Sequence, residues 1–363
     1  MKISKINLEQ IVANKPSQKK ITYPVNPALG QYLKLYGRMV NLPLEYNDLV
    51  HFVYSRPTKD ANGEYNQWDT VSYDLYQWEY IRKSLVIIYA QLKTEGNLTF
   101  INQLEVERVE YCGFGNSNPF RIRIKNKFND NYDHFYVKKA DASRIYGLEL
   151  EHILSPNRLT YLYDKNTLIE EHIPGLPGDV FINQYLDKAE INHVRLAKEF
   201  VKFNERCYTR LLGDMRSYNY VVVMTPDVEN FQYRIRAIDF DQQSYEGRKM
   251  LYAPQYFKEN VPMIENVMKM LNTESIMQYQ AEERTSIAFR IAASRYRIKS
   301  LMDIMAEDEI SKPEKTEQLK NELYQTYGLA PYKKSVTMGQ ILKVHMKFKL
   351  QSNLIYVPKM KGK

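Results

Sequence analysis

The sequence predicts an α+β protein of two lobes, in which a five-stranded antiparallel lobe with one helix precedes a mainly helical lobe. Two features of the pattern indicate this fold. From residue 104 to residue 173, short apolar or alternating runs are separated by turn residues, which is typical of strands. Beyond Pro262, apolar residues recur at helical spacing. At 363 residues, the chain also exceeds the length at which one hydrophobic core usually stops growing.

The first lobe is predicted to span residues 104–173. Its expected strands cover residues 106–111, 120–124, 134–139, 159–163 and 167–173, and its expected helix covers residues 143–154. Short stretches rich in Gly, Asn and Asp separate most of these strands, so neighbouring strands are expected to pair as an antiparallel meander.

The second lobe is predicted to span residues 174–330 and to be helical apart from one hairpin. Two β-branched and apolar runs, 220–224 and 232–238, are joined by a polar loop and form this hairpin. Helices are expected at 286–305 and 314–327, where apolar residues return every three or four positions.

Residues 1–103 are expected to form an accessory N-terminal segment that contains a helix. From Ser72 onward, apolar residues follow at intervals of three and four, and Gly96 is available to end the helix. We therefore expect a helical extension outside the two lobes.

The positive charge of the chain is concentrated in a predicted basic C-terminal tail, residues 331–363. The formal net charge is +8, and this tail contains lysines but no acidic residue, whereas basic and acidic residues balance elsewhere. Such a tail can contact nucleic-acid phosphates or an acidic partner. A solvated terminal face explains the same composition without any partner.

Cysteine usage indicates a reducing compartment and no structural zinc. Cys112 and Cys207 are the only cysteines of the sequence, and neither belongs to a CxxC pair. The N-terminus lacks the apolar stretch of a signal peptide, and no apolar run reaches the length of a membrane helix. We therefore expect a cytoplasmic protein without membrane contact.

Three residues carry the clearest chemical pattern. Four residues separate Asp214 from Asn219, and Asp239 follows the predicted hairpin. Phosphoryl transfer from ATP requires a carboxylate that positions the acceptor hydroxyl, together with oxygen ligands for Mg²⁺. These side chains can supply both. When Asp214 and Asn219 are taken alone, a turn with a helix cap is the favoured explanation.

This pattern resembles the protein-kinase-like superfamily over residues 105 to about 250. The catalytic loop of protein kinases has the same spacing from Asp to Asn, and a hairpin then delivers the metal-binding Asp. The segments Gly213-Asp214 and Ile238-Asp-Phe-Asp241 are most similar to the aminoglycoside phosphotransferase and choline kinase branch.

The resemblance implies roles for residues in the second lobe. Asn219 and Asp239 would bind Mg²⁺, with Asp241 as a further carboxylate ligand, and Asp214 would position the acceptor hydroxyl. Arg216 stands where this superfamily carries a cation, which would stabilise charge on the transferred phosphoryl group.

The resemblance also implies an ATP-binding site in the first lobe. Lys138 would hold the α and β phosphates, with Lys139 as the alternative if the register differs by one residue. Glu149 or Glu151 on the following helix would pair with this lysine and orient it. Spacing alone leaves both choices open.

The remaining nucleotide contacts would come from a hinge and a glycine loop. The predicted fifth strand ends in Ile169-Glu-Glu-His-Ile-Pro-Gly175, and there Glu171 and Ile173 would offer their backbone to adenine. Gly113 and Gly115 form either a phosphate-binding loop or a simple hairpin turn, and the pattern favours neither.

The sequence thus predicts an ATP- and Mg²⁺-dependent phosphotransferase that acts on a hydroxyl of a small molecule. The absence of an Ala-Pro-Glu motif favours a small acceptor over a protein. An atypical protein kinase or a nucleotidyl (AMP) transferase would use the same residues. A pseudokinase or nucleic-acid-associated binding protein that uses the Lys-rich tail is a third hypothesis, because Leu212 replaces the residue usual before Gly-Asp and the glycine loop is irregular.

Overall fold

The structure is a computed structural model that describes residues 20–59, 63, 65–94, 97–114, 116–228 and 230–354. Its described residues form two compact units. The sheet unit comprises residues 20–142 and 159–172, and the helical unit comprises residues 143–158 and 173–354. A large antiparallel sheet in one unit and a mainly helical second unit confirm the α+β class that the sequence predicts.

Seven strands form the sheet within the described residues of the sheet unit, two more than the sequence predicts. In sheet order they are β1 (Tyr54–Lys59), β2 (Tyr65–Ser72), β3 (Leu104–Tyr111), β4 (Phe120–Asn126), β5 (Tyr132–Lys139), β7 (Thr167–Glu171) and β6 (Tyr161–Asp164). Every pair of neighbours is antiparallel. The five strands expected from the sequence are confirmed, and the β1–β2 hairpin extends the sheet at the β3 edge.

The alternating sequences of the central strands place one face of the sheet in a hydrophobic core. On β4, Phe120, Ile122 and Ile124 are buried, whereas the residues between them are partly exposed. Helix α3 (Leu75–Thr94) packs against β3 and β4 and contributes Leu85 to this core. Because side chains alternate across a strand, the polar residues between these apolar ones lie on the opposite face.

The prediction of an accessory N-terminal segment is wrong for the described part of residues 20–103. Strands β1 and β2 belong to the sheet, and α3 supplies part of its core. The predicted helix after Ser72 is confirmed as α3. Two further helices, α1 (Pro27–Leu35) and α2 (Tyr46–Val50), precede β1, and a short 3₁₀ helix, Leu98–Gln103, leads into β3.

The helical unit begins with the helix that the sequence assigns to the first lobe. Residues 143–158 cluster with residues 173–354, so the predicted lobe boundary at residue 173 misplaces this helix. In chain order its helices are α4 (Ala142–Leu154), α5 (Gly178–Gln184), α6 (His193–Thr209), α7 (Val261–Met270), α8 (Thr273–Ala293), α9 (Arg295–Ala306), α10 (Pro313–Tyr327), α11 (Ala330–Lys334) and α12 (Met338–Leu354).

A small sheet and four 3₁₀ helices complete the helical unit among the residues described. The sheet has the order β10–β9–β8, and its strands are β8 (Leu176–Pro177), β9 (Tyr220–Pro226) and β10 (Phe231–Ala237). The predicted hairpin is confirmed as β9 and β10. The 3₁₀ helices are Ser217–Asn219, Lys249–Tyr252, Pro254–Tyr256 and Lys258–Asn260. The predicted helix over 286–305 is two helices, which meet at Ser294.

The predicted basic tail is folded as far as residue 354. Helix α12 buries an apolar row that packs against α8 and α9. This row comprises Met338, Ile341, Leu342, Met346 and Leu350. Lys349, one of the lysines of the tail, forms a buried ion pair with Glu205 (Nζ–Oε1, 2.8 Å). The lysines between these apolar residues obscured the helical period, so the sequence did not predict a core helix here. A long lysine stem can cover apolar surface while its charge pairs with an acidic side chain.

Burial of His345 on α12 predicts that the protein loses stability in acid. Its Nε2 donates to the carbonyl oxygen of Tyr208 (3.1 Å), and its Nδ1 lies 2.9 Å from the hydroxyl of Tyr332, so the neutral ring is satisfied. Burial, with a smaller effect of Lys349, lowers the pKa of His345 to about 3. The unfolded chain therefore takes up a proton below pH 6.5 and the folded chain only near pH 3.

We therefore expect His345 to remove on the order of 4 kcal/mol of folding free energy as pH falls from 6.5 to 3. Denaturant unfolding of the wild type and of His345→Gln at pH 7 and pH 4.5 measures this effect. The variant should lose less stability than the wild type over that interval. Equal losses would show that His345 does not contribute to the acid sensitivity.

Among the residues that the structure describes, no helix combines the length and the apolarity needed to cross a membrane.

Candidate functional site

The predicted catalytic loop lies between α6 and β9, and its backbone is held from several sides. Leu211 and Asp214 have positive φ angles of 53° and 56°, which side chains other than glycine rarely adopt. The N–H of Asp214 donates to the carbonyl oxygen of Leu251 (2.9 Å), and the N–H of Gly213 donates to that of Gln242 (3.1 Å). Such strained positions cluster at functional sites, because surrounding structure must hold them.

Asp214 and Asn219 lie together, as their spacing predicts. The Nδ2 of Asn219 donates to the carbonyl oxygen of Asp214 at 2.7 Å and approaches its Oδ2 at 3.4 Å. Burial raises the pKa of Asp214 to about 6, and the negative charges of Asp239 and Glu246 act in the same direction, while Arg216 opposes them. Asp214 is therefore a carboxylate with its pKa near neutrality, which suits a general base.

Arg216 is held between two carboxylates. Its Nε donates to Oδ1 of Asp214 (2.9 Å), and its Nη1 donates to Oε1 of Glu259 (2.6 Å). The guanidinium also lies over the ring of Phe257, at 5.0 Å from the centroid. In this arrangement Arg216 orients Asp214. Sequence reasoning missed Glu259, which stands 45 residues beyond Asp214 and belongs to no motif.

Asp239 and Asp241 follow β10 and share one arginine. The register of the hairpin brings the N–H of Ile238 to the carbonyl oxygen of Asn219 (3.0 Å), so Asn219 and Asp239 flank the same end of the hairpin. Arg144, in the first turn of α4, donates through Nη2 to Oδ1 of Asp239 (2.6 Å) and through Nε to Oδ1 of Asp241 (2.5 Å). Sequence reasoning missed Arg144.

The chemistry of this cluster fits a hard divalent cation. Asn219, Asp239 and Asp241 offer the oxygen ligands that Mg²⁺ prefers, and the guanidinium of Arg144 shows that the two carboxylates hold a cationic group. No group of three His, Cys, Asp or Glu side chains stands at metal-binding spacing within the described ranges. A cation here would therefore depend on the Asn219 oxygen and on ligands from phosphate.

In the sheet unit, Lys138 forms a buried ion pair with Glu170 (Nζ–Oε2, 2.7 Å). The strands β5 and β7 pair Tyr136 with Glu170 and Lys138 with Leu168, so Glu170 is the diagonal neighbour of Lys138 on one face of the sheet. Lys139, the alternative, is exposed. Sequence reasoning missed Glu170, which lies 32 residues after Lys138 on the neighbouring strand β7.

Glu149 and Glu151, which the sequence offers as partners of Lys138, each pair with an arginine of the helical unit. Glu149 accepts from Nη2 of Arg297 at 2.8 and 2.9 Å, and Glu151 forms an ion pair with Arg210. All four charges lie in or beside the core of that unit, where an unpaired carboxylate is costly. These pairs stabilise α4 within the helical unit.

The structure describes the predicted hinge and part of the predicted glycine loop. The Oε1 of Glu171 accepts from the N–H of Thr160 (2.7 Å), and the boundary between the two units falls between His172 and Ile173. Gly113 lies in the turn after β3 and has open space around it apart from the Tyr111 ring. Gly115 lies outside the described residues.

Comparison with known proteins gives structural similarity only. No family model matches the sequence, and no curated protein matches it either. A structure described as the autoinhibited serine kinase domain of the giant muscle protein titin is similar with 14% identity and a TM-score of 0.26, covering 71% of this chain and 83% of that one. A second, of titin kinase and its flanking domains, has 14% identity and a TM-score of 0.26, and covers 67% of this chain. This chain spans about half (54%) of the length of that second structure.

Proposed function

We propose that this protein is a nucleotide-dependent phosphotransferase that transfers a phosphoryl group to a hydroxyl of a small molecule. One observation carries the proposal. Asp214 and Asn219 are joined by a hydrogen bond within a strained loop, and the hairpin register brings Asp239 to the same end of the hairpin as Asn219. These are the three oxygen-bearing groups that the chemistry requires.

Asp214 would act on the acceptor hydroxyl. With a pKa raised to about 6, its carboxylate is mostly ionised at pH 7 and still basic enough to accept a proton. The hydroxyl proton passes to Asp214 while the hydroxyl oxygen bonds to the γ-phosphorus, and the bond from that phosphorus to the bridging oxygen breaks. Arg216 keeps the carboxylate oriented through the 2.9 Å hydrogen bond.

The remaining roles concern the nucleotide. A divalent cation held by Asn219 and Asp239, with Asp241 beside them, would neutralise charge on the phosphates. Lys138, which forms a buried ion pair with Glu170, would hold phosphate oxygens. The acceptor is assigned to small molecules because the chain lacks the Ala-Pro-Glu motif that follows the metal-binding Asp in protein kinases.

Calorimetric titration of ATP with and without Mg²⁺ tests the nucleotide site. We expect Mg²⁺-dependent binding in the wild type and a loss of at least tenfold in affinity in Asp239→Ala, because the variant removes a carboxylate ligand. Asp303→Ala, which removes an aspartate of α9 that pairs with Lys299, is the matched control and should bind like the wild type. Absence of binding by the folded wild type under both conditions would refute the proposal.

A further inference from the structure

Arg144 places a buried positive charge on the carboxylates that would hold the metal. Its side chain is only 3% exposed, and that of Asp241 is 5% exposed, whereas that of Asp239 is 30% exposed. The guanidinium contacts Oδ1 of both aspartates at 2.5 and 2.6 Å. Oδ1 of Asp239 also accepts from the backbone N–H of Asp241 (3.0 Å), so the Asp239 carboxylate is fixed by the backbone of Asp241 as well.

A divalent cation and this guanidinium would compete for the same two carboxylates. Mg²⁺ requires oxygen ligands at about 2.1 Å and an ordered octahedral shell. The guanidinium of Arg144 already contacts Oδ1 of both aspartates, and two buried positive groups on the same carboxylates would repel each other. Binding of the cation at Asp239 and Asp241 would therefore be weak while the guanidinium stays in place.

Helix α4 itself is anchored, so the change is confined to one side chain. The Oγ of Ser143 donates to the carbonyl oxygens of Asp241 (3.1 Å) and Gln243 (2.9 Å) at the start of the helix. Further along, the hydroxyl of Tyr146 donates to Asp308 (2.8 Å), and Glu149 pairs with Arg297. An arginine side chain can change rotamer without moving these contacts.

We propose that Arg144 is a built-in competitor of the divalent cation, so that the metal binds weakly until the guanidinium leaves the two aspartates. The proposal rests on the metal role that the proposed function gives to Asp239. It adds a regulatory residue to that site, since an anionic phosphate would draw the guanidinium away while bringing its own oxygen ligands to the cation. The metal and the nucleotide would each displace the Arg144 guanidinium from the aspartates. Binding of one should therefore increase the affinity for the other.

Direct binding of Mn²⁺ without nucleotide, followed by electron paramagnetic resonance of the free ion, tests this competition. We expect Arg144→Met to bind Mn²⁺ at least tenfold more tightly than the wild type. The double variant Arg144→Met/Asp239→Asn should lose this gain, which locates the ion. Arg297→Met removes the arginine from another ion pair of the same helix and should leave Mn²⁺ affinity at the wild-type value.

Arg144→Lys provides a second test of the competition if Arg144→Met does not fold. Its ammonium is a point charge that cannot bridge both carboxylates as the planar guanidinium does, so Mn²⁺ affinity should fall between those of the wild type and Arg144→Met. Wild-type Mn²⁺ affinity in folded Arg144→Met, or in folded Arg144→Lys when that is the only folded variant, would overturn the competition.

If Mn²⁺ binding tightens while no variant binds ATP, the competition stands and the proposed function fails. If ATP binding depends on Asp239 and Mn²⁺ affinity does not respond to Arg144, only the competition fails.

Discussion

Replacement of Asp214 by asparagine is expected to slow the proposed phosphoryl transfer by about 10² to 10⁴-fold. Asparagine has nearly the same shape and tolerates the left-handed backbone of this position, where φ is 56°, so the loop should keep its structure. It cannot accept the hydroxyl proton. The affinity for nucleotide should change little, because Asp214 is assigned to the acceptor. Formation of nucleoside diphosphate at pH 7.5 and calorimetric titration of ATP measure the two quantities.

Asp227→Asn provides the matched control for this substitution. Asp227 lies in the loop between β9 and β10, where it forms a half-exposed ion pair with Arg195, and its replacement should leave turnover unchanged. If Asp214→Asn turned over ATP at the wild-type rate, Asp214 would be a turn residue with no part in the chemistry.

Replacement of Gly339 by alanine is expected to destabilise the helical unit by about 3 kcal/mol or more. A Cβ atom at this position of α12 would lie 1.9 Å from the carbonyl oxygen of Met305 and 2.7 Å from the nitrogen of Ala306, both on the backbone of α9. Because backbone atoms cannot yield as a flexible side chain can, the two helices would have to separate. Chemical denaturation at neutral pH measures the loss.

The direction of this effect distinguishes a packed helix from a solvated tail. In an exposed helix, alanine in place of glycine stabilises by up to about 1 kcal/mol. Gly30→Ala is the matched control, since Gly30 lies within α1 with no atom within 4 Å of an added Cβ, and we expect it to stabilise slightly. Stabilisation by Gly339→Ala would contradict the packing of α12.

Strands with one buried face could be predicted from the sequence, and strands without one could not. On β4, apolar and polar residues alternate, and the prediction of this strand is confirmed. Strand β1 has the sequence Tyr54-Ser-Arg-Pro-Thr-Lys59, and five of its six residues are exposed. A strand exposed on both faces has no period of two in hydrophobicity, so only its pairing with β2 reveals it.

The candidate site also contains residues that the sequence predicted and residues that only the structure revealed. Asp214, Asn219 and Asp239 could be named from spacing because a short loop and a hairpin bring them together within a few dozen residues. Arg144 lies about a hundred residues before Asp241 in the chain, and Glu259 lies well beyond Asp214. Such long-range ion pairs have no spacing rule, since packing of distant elements creates them.

By itself, the sequence determined the α+β class, the order of most strands and helices, and the loop that joins Asp214 to Asn219. These depend on interactions between residues close in the chain, which leave a period or a spacing in the sequence. Only the tertiary structure decided that α4 and α12 belong to the helical unit, that Lys138 pairs with Glu170, and that Arg144 covers Asp239 and Asp241. A buried charge takes whichever opposite charge the fold brings within reach, and that choice is made by packing in three dimensions.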